Sequence, residues 1–288
     1  MSRLALGTVQ FGLNYGVTNT VGKVNESSVT EMLNVAAMHQ INTIDTAIGY
    51  GDSEHVLGQN NINDFNIISK IPPLDDNSDV HNWVLTQLNG SLYRLGQDSL
   101  YGVLLHNPDD LFTPFGQKLY KSMINLKDKG LVKKIGISVY SPKQLDKIFL
   151  DYDFDIVQAP LNIIDRRLEE SGWLSKLNKM NIEIHIRSVF LQGLLLLAKN
   201  NIPKKFNRWS FLWSNWEKYI LQNRINPIEA CLSYPLKFAE VDRVIVGAQN
   251  REQLKEIINA SNTSLAIALP DISSNDEHLI NPGNWNNL

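Results

Sequence analysis

Short apolar runs separated by stretches of helical length recur eight times in this chain, and that alternation constrains its fold more than any other feature. The runs are residues 4–7, a run closing at Asp45, 67–70, a run closing at His106, then 134–138, 156–158, 183–188 and 243–246. They are nearly continuous in apolar residues rather than alternating, as strands of a parallel sheet covered on both faces must be. Between them Val29, Met32, Leu33 and Ala36 recur on one helical face, as do Val80, Trp83, Val84, Leu88, Leu92 and Leu95. The punctuation agrees: Ser28-Val29-Thr30-Glu31 reads as a capping box, and Pro72-Pro73 stops the third strand. Gly130 ends a helix begun at Gly116, and Ser141-Pro142 is an N-cap with proline at the first helical position. Further helices are expected at 173–180, 227–238 and 251–260.

Parallel neighbours need a crossover connection, so each strand–helix repeat is a βαβ step. Eight steps imply an α/β fold of the (β/α)8 TIM-barrel type, one domain over residues 1–288, with an irregular loop or extra helix at 199–217 and a tail at 262–288. An open doubly wound sheet is the competing architecture. Its usual Gly-x-Gly-x-x-Gly after the first strand is absent from Gly7-Thr8-Val9-Gln10-Phe11-Gly12.

Composition excludes several functions. A net charge of −3 offers no basic field for nucleic acid or an anionic membrane. Cys231 is the only cysteine, so neither a disulfide framework nor a cysteine metal cluster is available, which suits a reducing compartment. No apolar run approaches the ~20 residues of a membrane span, and no signal-peptide core is recognisable. The expectation is a cytoplasmic protein acting on a small molecule, a monomer or weak homo-oligomer, without metal.

In a barrel of this kind the working residues stand at the C-terminal ends of the strands. Asp45, Lys70 and His106 end strands two, three and four, and Tyr50 follows Asp45 in the turn Gly49-Tyr50-Gly51. Singly, each has an ordinary reading: a solvated strand-end charge, a packed histidine, a turn. Together they form a proton-delivery set. A free tyrosine titrates near ~10, and an adjacent ammonium favours the phenolate and lowers that value. Asp45 would hold Lys70 in place, and His106 would orient and polarise a carbonyl oxygen.

These residues, with Leu6-Gly7-Thr8, Phe11-Gly12, Asp45-Thr46-Ala47, Glu54, Gly58, Leu104-Leu105-His106, Gly136, Ser138, Gln158, Asn162, Gly247 and Glu252-Gln253-Leu254, resemble the aldo-keto reductases over residues 4 to about 258. The resemblance implies an oxidoreductase that reduces an aldehyde or ketone, a sugar-like carbonyl among the candidates, with NADP(H) or NAD(H). Tyr50 would be the proton donor, with Asp45, Lys70 and His106 completing the catalytic set. It also implies that Ser138 and Gln158 bind the nicotinamide carboxamide with Thr8 nearby. Arg187, Ser188, Phe190, Gln192 and Gly193 would follow the pyrophosphate, and Gly247, Gln249 and Gln253 the adenosine end. A regulatory or non-turnover cofactor-binding protein, or a lyase or epimerase with retained cofactor, are the alternatives on the same fold.

The chain departs from the family pattern at Val139, commonly asparagine, and at Arg187, commonly an aromatic ring against the nicotinamide. Gln253 and Ile257 stand for a frequent arginine and asparagine, leaving Arg251 as the local cation and the choice between NADP and NAD open. Substrate walls are expected from residues 9–15, 107–115 and 202–216. Phe11, Tyr15, Phe206, Trp209, Phe211, Trp213 and Trp216 would either face a ligand or pack these loops onto the barrel.

Overall fold

The computed structural model describes residues 2–75, 79–263 and 268–288. Eight strands follow one another in space as in sequence: β1 (Leu4–Gly7), β2 (Thr43–Asp45), β3 (Asn66–Ile71), β4 (Leu100–Leu105), β5 (Val132–Ser138), β6 (Ile156–Pro160), β7 (Glu183–Arg187) and β8 (Arg243–Gly247). All pairings are parallel, and β8 returns to β1 with Leu4 opposite Val244 and Gly7 opposite Gly247. The sheet is therefore a closed barrel, the (β/α)8 architecture expected from the alternation.

Helices cover its outer face. The helix Val80–Leu95 buries Val80, Trp83, Val84, Leu88, Leu92 and Leu95 against it. At about 1.5–3 kcal/mol for each large apolar side chain, that stripe alone outweighs the helix's weak intrinsic propensity. Gly96 (φ 62°) and Gly130 (φ 70°) end helices in the left-handed conformation that glycine tolerates.

Inside the barrel, Ile68, Leu104 and Ile156 form a separate apolar layer. A Cβ on Gly102 would lie 2.9 Å from Cδ1 of Ile156, which stands on the non-adjacent β6, so glycine there lets the layer close. At the opposite end from the strands' C-termini, Tyr101 and Lys134 converge on Glu183, and His185 Nε2 lies 2.8 Å from Glu183 Oε1. Burial pushes the Glu183 carboxyl up, but these partners outweigh it and hold it down at about 2.

Two local expectations are corrected. The first long helix begins at Glu26 rather than at a capping box on Ser28. Asn25 caps it, its side-chain oxygen accepting the Ser28 N–H at 2.9 Å. Strand seven stops at Arg187, because Ser188 turns to φ 62°. Of the loop or extra helix expected at 199–217, the helix is present: two short 3-10 turns, Lys199–Asn201 and Lys204–Trp209, lead into the helix Ser210–Asn223.

The C-terminal segment packs back on the barrel's loops. Ile272, Leu279, Ile280 and Trp285 are buried, and Lys205 Nζ donates to the Trp285 carbonyl at 2.9 Å. Among the described residues no helix is long and apolar enough to cross a membrane, and no His/Cys/Asp/Glu group could hold a metal ion.

Candidate active site

Parallel pairing brings the ends of β2, β3 and β4 side by side, so Asp45, Lys70 and His106 share the mouth of the barrel. Lys70 is fully buried, and its ammonium has three acceptors for its three donors: Asp45 Oδ1 at 2.7 Å, the Thr46 carbonyl at 2.8 Å and the Tyr50 hydroxyl at 3.4 Å. An unpaired buried ammonium would lose its proton. Here burial pulls the Lys70 pKa down, but Asp45, aided by Tyr50, more than compensates and leaves it raised.

Tyr50 is held by a tight turn, its N–H on the Ala47 carbonyl and its own carbonyl accepting from Ser53 N–H. Gly12 makes that turn possible: a Cβ there would sit 1.8 Å from the Tyr50 carbonyl oxygen. Gly51, at φ 55°, supplies the left-handed step. Burial raises the Tyr50 pKa, Lys70 lowers it and Asp45 raises it again, with a raised value as the outcome. The lowering expected from Lys70 is thus overridden, because burial favours the neutral phenol and Asp45 offsets the ammonium. Tyr50 is a protonated phenol at neutral pH.

The His106 ring meets Tyr50 edge to face, centroids 5.7 Å apart. Burial, then the Lys70 charge, depress its pKa to about 4. Its imidazole is neutral at pH 7 and offers one N–H donor.

Gln158, expected from the resemblance as a cofactor ligand, is also tied to the catalytic candidates: its Nε2 donates to Asp45 Oδ2 at 2.7 Å, while its Oε1 accepts from Ser138 Oγ at 3.3 Å. Thr8 donates to the Asp45 carbonyl and accepts from Ser53 Oγ. Glu54 is structural: it accepts from Ser69 and Ser91, each at 2.6 Å, and pairs with Arg94, tying β3 to two helices.

Every expected site residue except Lys70, which lies behind Asp45 and Tyr50, lines one cavity of about 500 Å³ at the C-terminal end of the barrel. Ser188, Phe190, Gln192 and Gly193 form its β7 side. This stretch touches the segment after β1: the Gln192 carbonyl accepts from Val17 N–H at 3.1 Å, and Gln192 Nε2 donates to the Tyr15 hydroxyl at 3.0 Å. Gly7 and Gly247, paired in register, present bare backbone to the cavity.

Sequence reasoning missed Tyr140 and Glu256, both in the cavity wall. Gln10 Oε1 is buried without a hydrogen-bond partner. The substrate walls differ from expectation too. Of the residues expected there, Val9, Gln10 and Tyr15 line the cavity, and none from 107–115 or 202–216 does. Phe206, Trp213 and Trp216 are core residues, the two indoles donating to the carbonyls of Phe206 and Leu195.

Arg187 extends over Tyr140, its guanidinium carbon 4.3 Å from the ring centre, with Nη2 on the Val139 carbonyl at 2.9 Å and Nη1 on Ser188 Oγ at 3.2 Å. On the β8 side of the cavity wall, Gln253 accepts the Gln249 N–H. Arg251 points elsewhere, pairing with Glu252 at 2.6 Å and Glu31 at 3.6 Å, whereas Glu256 does line the wall.

Comparison with known proteins agrees with this geometry. The model of the aldo/keto reductase family matches residues 3–272. The aldo-keto reductase YhdN of Bacillus subtilis is 28% identical over 183 residues, 59% of this chain and 53% of YhdN, so the chain spans about half of that relative's length. The L-glyceraldehyde 3-phosphate reductase of Escherichia coli is 24% identical over 221 residues, 68% of this chain and 63% of that protein. An aldo-keto reductase from Bacillus halodurans, solved in its holo form, shares the fold with a TM-score of 0.72 at 20% identity, over 92% of this chain and 88% of that one. With a family match over most of its length and the closed barrel that carries it, this chain belongs to the aldo/keto reductase family.

Proposed function

We propose that this protein reduces an aldehyde or ketone to the alcohol with NAD(P)H, Tyr50 delivering the proton. One observation carries the reading: inside the barrel a single ammonium, Lys70, holds both Asp45 and the hydroxyl of the cavity-facing Tyr50. A bound nicotinamide cofactor supplies the hydride. Tyr50, protonated at neutral pH, gives its proton to the developing alkoxide. Lys70 stabilises the phenolate left behind, and Asp45 keeps Lys70 charged in a dry site. Neutral His106 donates its N–H to the carbonyl oxygen and fixes its position.

The cavity suits such a cofactor. Paired glycines leave backbone exposed, and Ser138 and Gln158 offer an amide-binding edge. Ser138, Gln158 and Thr8 would hold the nicotinamide end, the 187–193 stretch the diphosphate, and Gly247, Gln249 and Gln253 the adenosine. We assign NADH as the preferred form, because the wall at the adenosine end carries Glu256 and no cation among the described residues. A carboxylate accepts from a ribose 2′-hydroxyl and repels a 2′-phosphate.

The test is a panel of aldehydes and ketones with each reduced cofactor, following cofactor consumption and identifying the alcohol by mass spectrometry. Substrate-dependent consumption with a matching alcohol is the expected result. Unchanged cofactor with every carbonyl, or product formed without net cofactor loss, would replace this reading with a binding or lyase-type function.

A further inference from the structure

Among the described residues Arg187 is the only lysine or arginine in the cavity wall, and it has no carboxylate partner. The other charges there are accounted for: Asp45 is matched by Lys70, His106 is neutral at pH 7, and Glu256 stands on the separate helix Arg251–Ser261 and is not paired with Arg187. Its head is also fixed. To swing away, the guanidinium would surrender the Val139 carbonyl, Ser188 Oγ and its contact with the Tyr140 ring. The carbonyl that holds it belongs to the residue after Ser138, and Ser138 is hydrogen-bonded to Gln158, so the charge is anchored beside that amide-binding edge.

We propose that Arg187 is a redox-form selector: a fixed, unneutralised cation at the nicotinamide end of the cavity that favours the reduced cofactor over the oxidised one. The inference rests on the cofactor reading above. The two forms of a nicotinamide dinucleotide differ by one positive charge on the ring and share the same diphosphate. Attraction between Arg187 and the diphosphate therefore cancels in the ratio of their affinities, and repulsion of the cationic ring does not. In a partly buried site a like-charge pair is screened much less than in water. The consequence is an enzyme loaded with reduced cofactor before reaction that releases the oxidised form readily afterwards, which biases it toward reduction. An aromatic side chain at this position would carry no such charge.

The experiment is equilibrium titration of NAD⁺ and NADH, by calorimetry and by cofactor fluorescence, with the wild type, Arg187→Met and Arg187→Lys. The expected wild-type dissociation constant for NAD⁺ exceeds that for NADH by tenfold or more, about 1.4 kcal/mol. Arg187→Met should shrink that ratio several-fold, while Arg187→Lys, which keeps the charge, should retain most of it. If Arg187→Met weakens both forms equally and leaves the ratio unchanged, Arg187 only supports the site's structure and the proposal falls while the cofactor reading stands. Failure of the wild type to bind either form overturns both.

Discussion

The side-chain amide of Gln158 on β6 reaches across the barrel to the carboxylate of Asp45 on β2, 2.7 Å from Nε2 to Oδ2. These strands lie four places apart in an eight-stranded ring, so the bond joins opposite walls. It satisfies the one Asp45 oxygen that Lys70 does not, and both residues are buried.

Gln158→Leu should therefore leave a buried carboxylate oxygen without a donor. The expected loss is about 1–3 kcal/mol, read by urea denaturation, together with slower carbonyl reduction as Asp45 loosens its hold on Lys70. A stability change of only a few tenths of a kcal/mol would show that Asp45 needs no partner on that side.

Gly12→Ala tests the support beneath Tyr50. The added methyl would meet the Tyr50 carbonyl at 1.8 Å and the Ser53 nitrogen at 2.5 Å, so the turn must shift. The cost should be about 1–3 kcal/mol, as for other overpacked sites, with activity falling at least tenfold. Wild-type activity in this variant would mean that Tyr50's position matters little.

The pH dependence of stability follows from His106, whose pKa falls from 6.5 to about 4 on folding. The unfolded chain takes up this proton first, so the contribution is complete above pH 6.5 and is lost as pH falls toward 4. Urea unfolding at pH 7.5 and 5 should show the wild type losing roughly 1 kcal/mol more than His106→Gln over this interval. Parallel losses in the two proteins would mean that His106 titrates normally in the fold.

Cofactor preference should turn on Glu256. NADH should bind at least as tightly as NADPH, and Glu256→Arg should improve NADPH affinity by tenfold or more, the scale of one charge-assisted contact of roughly 1.5–3 kcal/mol. A wild-type preference for NADPH of a hundredfold would require a cation other than Arg251 at the 2′-phosphate, or a rearranged Arg251.

What could be read from the sequence divides along physical lines. The strands and the three polar residues at their ends, Asp45, Lys70 and His106, were legible, because buried parallel strands are continuously apolar and a charge closing such a run stands out. Element starts were less so: Asn25 and Ser28 are both good caps, and only the fold shows that Asn25 takes the Ser28 N–H. Composition does not say where an indole points, and Trp213 and Trp216 turned inward to backbone carbonyls instead of lining a ligand wall. The Gln158–Asp45 bond spans 113 residues and leaves no local trace. The net direction of the Tyr50 pKa is hidden for a related reason: Lys70 does lower it, but burial, which the sequence does not display, raises it more.

The central claim is that Tyr50 delivers the proton, and Tyr50→Phe tests it most directly when single-turnover reduction of an aldehyde is measured beside NADH binding. The account predicts a reduction rate lower by on the order of 10²-fold or more with an NADH dissociation constant close to wild type. A variant that reduces the aldehyde as fast as the wild type would contradict it.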